Sequence, residues 1–170
     1  MTGVQTCALP IYHNLRRNIK KARNNRVAVT GHGSVEDIIT LFRENRGREV
    51  STVSDNHYKR FTRLCHDYFH RGRALFQAVY NQQNVMVAGA VFLRHQNRLV
   101  FIFSGLSEEG KQLGAMPLII DDMISRNAQS NLIIDFEGSN DPGLARFYQS
   151  FGAEKETYWF YQRKAWWLFF

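Results

Sequence analysis

The chain has 170 residues, 44% of them hydrophobic and 14% aromatic, enough for one domain with a sizeable core and unlike a disordered composition. Its longest apolar run, Val85 to Leu93, is far short of a membrane span. Cys7 and Cys65 sit in no paired motif, which argues against a disulfide framework or zinc ribbon and fits a reducing compartment, the cytoplasm.

The formal charge of +7 is concentrated near the start. No acid precedes Glu36, and Arg16, Arg17, Lys20, Lys21, Arg23 and Arg26 supply six of the seven charges. Met1 to Ile11 has neither the basic start nor the apolar core of a signal peptide, and no helical or strand period. It resembles translated sequencing-adapter read-through, so it is expected to be an artefact or a poorly ordered tail.

The periodicity predicts a helix from Asn14 to about Asn25, with Leu15, Ile19 and Ala22 on its buried stripe. Its basic side could meet RNA, anionic lipid or an acidic surface, or could be a solvated face. Val27 to Thr30 is a short strand candidate closed by a Gly31-His32-Gly33 turn. Ser34 is then a good N-cap for a helix burying Val35, Ile38, Ile39 and Phe42, ending near Gly47 as its C-cap glycine. Asp55 or Asn56 is expected to cap the next helix, which runs to about Arg71 with Tyr58, Phe61, Leu64, Cys65, Tyr68 and Phe69 on its apolar arc. His66 and His70 share that helix at metal-ligand spacing, but no third ligand is evident, so no metal site is expected.

Three strand-like runs follow: Ala74 to Tyr80, Val85 to Arg94 and Arg98 to Leu106, with polar turns between them. This pattern is an antiparallel meander, and the middle run, apolar on both faces, reads as a central strand. A loop from Ser107 to Leu113 should lead into a helix from Gly114 to about Gln129. Leu132 to Phe136 reads as a short buried strand, Pro142 as the first turn of another helix ending near Gly152, and Glu154 to Arg163 as a last strand. The order implies a mixed α/β fold.

Two segments carry a family resemblance. Gly110-Lys111-Gln112-Leu113-Gly114-Ala115-Met116 resembles the pyrophosphate loop of GNAT acyltransferases, where small residues and a helix N-terminus admit a phosphate. Lys111 takes the lead position, and Met116 departs from the pattern by replacing a small residue. Asn140 to Ala153 resembles the GNAT segment whose tyrosine protonates the leaving thiolate; Tyr148 is the matching residue, and its alternative role is as core with Leu144, Phe147 and Phe151. The segment Leu15 to Ala22, together with Asp135-Phe136-Glu137-Gly138-Ser139, is similar to the FemAB-like, double-GNAT branch.

The resemblance implies a GNAT fold, a mixed and mostly antiparallel sheet flanked by helices. It implies one domain over residues 12–170, the C-terminal lobe of a longer two-lobe protein whose N-terminal lobe would be its partner. The implied activity is acyl or aminoacyl transfer to an amine acceptor, a small molecule or a peptidoglycan precursor, in cell-envelope synthesis. A non-catalytic lobe is the rival. An acetyl-CoA or other acyl-CoA donor would lie on Ser104, Leu106, Gly110, Lys111, Leu113, Gly114, Ala115 and Asn140. Pantetheine would run along the strand ending near Ser104 to Leu106. An aminoacyl-tRNA is the alternative donor, met by the Arg16 to Arg26 helix. Tyr148 would be the acid. Glu137, just past a strand end, could act as general base or be a solvated acid, and Asp135 could be buried and paired.

Overall fold

The computed structural model describes residues 3–5, 13–25, 27–50, 53–137, 141–157, 159 and 161, the first three and residues 13–14 through their backbone alone. Its elements are β1 (Gly3–Gln5), α1 (His13–Asn24), β2 (Val29–Thr30), α2 (Val35–Glu44), a 3-10 turn (Arg46–Glu49), α3 (Asp55–His70), β3 (Ala74–Tyr80), β4 (Met86–His95), β5 (Arg98–Leu106), α4 (Glu108–Leu113), α5 (Ala115–Asn127), β6 (Ile133–Asp135) and α6 (Pro142–Gln149).

The strands form one sheet in the order β1-β6-β5-β4-β3-β2. Every pairing is antiparallel except β5 with β6. This is the mixed, mostly antiparallel sheet that the element order predicts. One face is covered by α1, α5 and α6, where Leu15, Ile19, Phe92, Ile119, Ile120 and Tyr148 share a buried cluster. The other is covered by α2 and α3, where Ile38, Cys65, Phe76 and Val91 form a second. Strand β4 is buried from Val87 to Phe92 because it feeds both clusters, which explains its two apolar faces.

Two features of the sheet bring elements to the same place. Gly89 and Gly105 are register partners lying under α2. A Cβ at Gly105 would stand 2.5 Å from the Ile38 carbonyl oxygen, and one at Gly89 would stand 2.5 Å from Ile38 Cγ1. These bare positions let α2 sit close to the sheet and carry Phe42 and the following turn toward the end of β5. The second feature is a bulge. Val91 pairs with Phe103 and Phe92 with Phe101, so Ile102 is the extra residue. Ile102 and Phe103 consequently both pack toward α2 and α3, while Phe101 packs toward α6.

Several local expectations change. The cap of α3 is Ser54, ahead of the expected Asp55 or Asn56, because Ser54 and His57 bond reciprocally as a capping box. Its predicted arc is shallower than a core face: Cys65 is buried, whereas Leu64 and Phe69 are exposed. Helix α2 buries Leu41, not Phe42, and ends at Glu44; Gly47 lies in the 3-10 turn and does not cap it. The Ser107 to Leu113 segment is not a loop. Ser107 caps it, its hydroxyl accepting from the Gly110 N–H at 3.0 Å, and Glu108–Leu113 is helical.

The predicted last strand is also absent where it can be described: residues 154–157 are irregular. The outer edge of β6 is already paired with Gly3–Gln5, so that edge has no free ladder to offer. The same pairing gives Gly3–Gln5 of the Met1 to Ile11 stretch a place in the sheet. Tyr158, Phe160 and residues 162–170, with the closing Ala165 to Phe170, lie outside the described residues. Among the described residues, no helix is long and apolar enough to cross a membrane.

Candidate active site

Strands β5 and β6 pair only from Arg98 with Ile133 to Val100 with Asp135. Beyond that point β5 continues to Leu106 while β6 ends, so the two strands part. The parting opens a cleft of about 920 Å³ at the carboxyl ends of the one parallel pair among the described residues, where ligands collect in α/β sheets. Phe101, Phe136 and Tyr148 wall it on one side, and Phe42, Ile102 and Phe103 on the other. Ser104 and Leu106 line it from β5, Met116 and Pro117 from α5, and Leu144 and Phe147 from α6.

Tyr148 is held by its neighbours' rings. It stacks on Phe136 with centroids 4.4 Å apart and meets Phe101 edge-on at 6.3 Å. Burial pushes its phenol up to about 12, so it keeps its proton at neutral pH. Asp141 caps α6, accepting from Gly143 N–H at 2.7 Å and Leu144 N–H at 2.9 Å, and Pro142 follows at the first helical position. Those two N–H groups hold the Asp141 carboxyl below the ordinary value, with Arg46 and Arg146 adding to the effect.

Glu137 lines the same cleft and is exposed. Its backbone is left-handed, with φ 56°, a costly conformation for a residue with a side chain. Its N–H donates to Asp135 Oδ1 at 2.9 Å, which holds the turn. The other oxygen of Asp135 accepts from Arg98 at 2.8 Å, so Asp135 is the paired, structural acid and Glu137 the one facing the cleft.

The cleft therefore gathers Ser104, Leu106, Lys111, Glu137 and Tyr148 from the predicted site. It does not gather Gly110, Leu113, Gly114 and Ala115. Gly110 is buried under β4, where a Cβ would stand 2.1 Å from the Val87 carbonyl oxygen. Gly114 is left-handed, with φ 71°, and a Cβ there would meet Asn18 O at 2.9 Å, so α1 lies against it. The N–H groups of Lys111 and Gly114 donate to Ser107 O at 3.0 Å and Lys111 O at 3.1 Å. Lys111 Nζ sits 2.8 Å from Glu108 Oε2. A phosphate cradle needs unpaired N–H groups facing outward. Those of Lys111 and Gly114 are spent inside α4 and at its cap, so these two are not available to the coenzyme A diphosphate expected at Gly110 to Ala115. Asn140, with Gly138 and Ser139, lies outside the described residues.

Outside the cleft, α1 is anchored by Arg23, whose guanidinium is 2.9 Å from Asp121. Burial raises the Asp121 carboxyl, and Arg23 opposes the shift. Arg16, Arg17, Lys20 and Lys21 remain exposed; Arg26 lies outside the described residues. Cys65 is buried, and burial, with Glu36 adding, raises its thiol to about 11, which makes it inert as a nucleophile. His66 bonds Glu36 at 2.6 Å. Among the described residues no group of three or more metal-ligating side chains occurs.

Sequence reasoning missed the charged side of the cleft, Glu44, Arg46, Arg48 and Glu49, which surrounds the glycine it read as a helix C-cap. Alternating charge around a glycine was the available signal.

A family model described as an acetyltransferase (GNAT) domain matches residues 11–148. No curated protein matches the chain. Among solved structures, that of FemX is 14% identical with a TM-score of 0.68, over 85% of this chain and 54% of that one. A possible acetyltransferase from Clostridium difficile is 11% identical with a TM-score of 0.60, over 82% and 97%. A conserved protein of unknown function from Staphylococcus epidermidis is 11% identical with a TM-score of 0.57, over 90% and 55%. These likenesses concern the fold, and the chain spans about half the length of the first and third.

Proposed function

We propose that this chain, which belongs to the acetyltransferase (GNAT) domain family, transfers an acyl group from an ester or thioester to an amine at the β5–β6 parting. The observation that carries this reading is the meeting of Glu137, Tyr148 and the free edge of β5 in one cleft. An acyl arm laid along Ser104 to Leu106 would find backbone groups that no strand among the described residues pairs on the β6 side. The amine attacks the acyl carbon and gives its proton to Glu137. The carbon–sulfur or carbon–oxygen bond then breaks, and Tyr148 donates its phenolic proton to the leaving atom. A phenol raised by burial is a weak acid but a fully protonated one, so the donor is always loaded.

In this reading the donor gains little from its diphosphate at Gly110 to Ala115, because the Lys111 and Gly114 N–H groups are already paired. Acetyl-CoA and an acetyl thioester lacking the nucleotide are therefore expected to serve equally well, in a continuous assay of amine-dependent thiol release. Glu137→Gln should slow release by about 100-fold or more while leaving the thermal midpoint unchanged. Thiol release that survives Glu137→Gln and Tyr148→Phe together would sink the reading.

Likeness to the FemAB-like group supports a finer placement: a cytoplasmic aminoacyl transfer in cell-envelope synthesis, by one lobe of a two-lobe protein, with a tRNA ester as donor and a peptidoglycan-precursor amine as acceptor. The exposed Arg16, Arg17, Lys20 and Lys21 suit an RNA backbone. Neutralising Lys20 and Lys21 should flatten the salt dependence of tRNA binding, and salt-independent binding would exclude that donor. The closed α4–α5 junction favours one other reading, a non-catalytic lobe that packs or binds, for which no thioester would be turned over.

A further inference from the structure

The walls of the cleft are more apolar than the transfer of a small acyl group requires. Every charged residue that lines it (Glu44, Arg46, Arg48, Glu49, Lys111 and Glu137) is exposed, so the charge lies at the mouth. Deeper in, rings face one another across the parting. On one wall Phe103 tilts against Phe42 and Phe61, with centroids 4.9 and 5.0 Å apart. On the other, Tyr148 stacks on Phe136 and lies 5.8 Å from Phe147. The bulge thickens the first wall, because it turns two successive residues of β5, Ile102 and Phe103, to the same side.

Few polar groups interrupt these walls. Asn45 spends its amide on the Leu41 carbonyl oxygen at 2.8 Å. The Ser104 and Tyr148 hydroxyls line the cleft and make no hydrogen bond among the described residues. Tyr148 is only 6% exposed, and a phenol so buried ordinarily bonds a partner. Ring walls with a hydroxyl free to bond suit a ligand that is apolar over most of its length and polar at one end. An acyl thioester has that layout, a carbonyl at the sulfur and hydrocarbon beyond it. An acetyl group ends after one methyl and would leave Phe42, Phe103 and Phe147, all half-buried, facing water. Covering those rings is favourable in proportion to the area removed from water.

We propose that the cleft selects a bulky apolar acyl group, a phenyl ring in size or larger, held between Phe42 and Phe103 on one wall and Phe147 on the other, with its carbonyl toward Tyr148. That the group is an acyl group rests on the acyl-transfer reading; that the walls hold a bulky apolar group does not. A cleft of about 920 Å³ has room for such a group beside an amine acceptor.

The test uses the full chain and two thioethers of N-acetylcysteamine, which cannot be turned over: S-ethyl and S-(2-phenylethyl). Binding is read in calorimetric or ligand-observed NMR titrations. The phenylethyl compound should bind about 30-fold more tightly, the gain expected for burying one ring. Phe42→Ala and Phe147→Ala should each lower that preference about threefold or more. Phe69→Ala removes an exposed ring outside the cleft and should leave it unchanged. Circular dichroism confirms that each variant is folded. Equal binding of the two thioethers, no binding of the phenylethyl compound, a preference that neither cleft variant lowers, or one that Phe69→Ala lowers as much would each overturn the proposal. Thiol release from the acetyl and phenylacetyl thioesters is measured alongside. If the phenylethyl preference is present and neither thioester is turned over, the acyl-transfer reading falls and the apolar site stands. If both thioesters are turned over with equal kcat/KM and the two thioethers bind equally, the reading stands and the proposal falls.

Discussion

The β5–β6 parting and the α4–α5 junction lie at opposite ends of one stretch of resemblance, and they differ in what their backbones still offer. At the parting, β5 runs on past Val100, the last of its residues paired with β6, with that edge unpaired among the described residues, and Tyr148 and Glu137 face the space left open. At the junction, α4 closes on itself, Gly110 is pressed against Val87 and Gly114 against Asn18. Small residues occupy both the expected phosphate loop and the observed helix, but for different reasons. In a phosphate loop a glycine admits a ligand; here it admits neighbouring backbone. A motif thus reports close approach, and only the packing says what approaches.

The comparison can be broken first at Gly110. Gly110→Ala places a methyl group where the Val87 carbonyl oxygen stands 2.1 Å away, and a loss on the order of 3 kcal/mol is expected from such overpacking. Urea denaturation measures it; an unchanged midpoint would mean that the junction is looser than its geometry.

At the parting, Tyr148→Phe keeps the stack on Phe136 and removes only the hydroxyl. Acyl transfer should fall about 100-fold with stability altered by less than about 1 kcal/mol. A loss of stability as large as the loss of rate would make Tyr148 a core residue and nothing more. The difference spectrum between wild type and this variant should show phenolate forming at about 12, well above the ordinary tyrosine value of about 10. Below that ordinary value both folded and unfolded states keep the proton. Between it and the folded value only the unfolded chain ionises, so Tyr148 costs stability as pH rises through that window.

A smaller effect sharpens the junction. Gly114→Ala asks a side chain to adopt φ 71° beside Asn18 O at 2.9 Å, costing roughly 1–2 kcal/mol. The smallest expected effect lies away from both regions. For Glu36, burial acts to raise the carboxyl, but the His66 bond and charge outweigh it and leave it lowered. A lowered folded value contributes stability above the unfolded carboxylate range that is lost as pH falls through the folded one. The pair is about half exposed, so His66→Gln should cost less than about 1 kcal/mol at neutral pH. An acid-unfolding curve that does not shift would show the pair to be inconsequential.

Much of the fold was legible because local rules agree with the tertiary outcome. The meander strands fall within a residue or two of their predicted bounds, since alternation and turn chemistry act over short distances. Ser34 and Pro142 mark their helices for the same reason. The site was legible in part. Tyr148 and Glu137 are where the motif residues suggested, whereas Arg46 and Arg48 carried no signal beyond charge, because their place depends on how closely α2 approaches Gly89 and Gly105.

By itself, the sequence determined the α/β order, the meander, the helix starts at Ser34 and Pro142 and the cationic face of α1, all consequences of neighbours within a turn or a hairpin. Only the tertiary structure decided that Gly89, Gly105, Gly110 and Gly114 admit neighbouring backbone or side chains. It also decided where β5 and β6 part. Those properties depend on distances between elements far apart in sequence, and no local period encodes them.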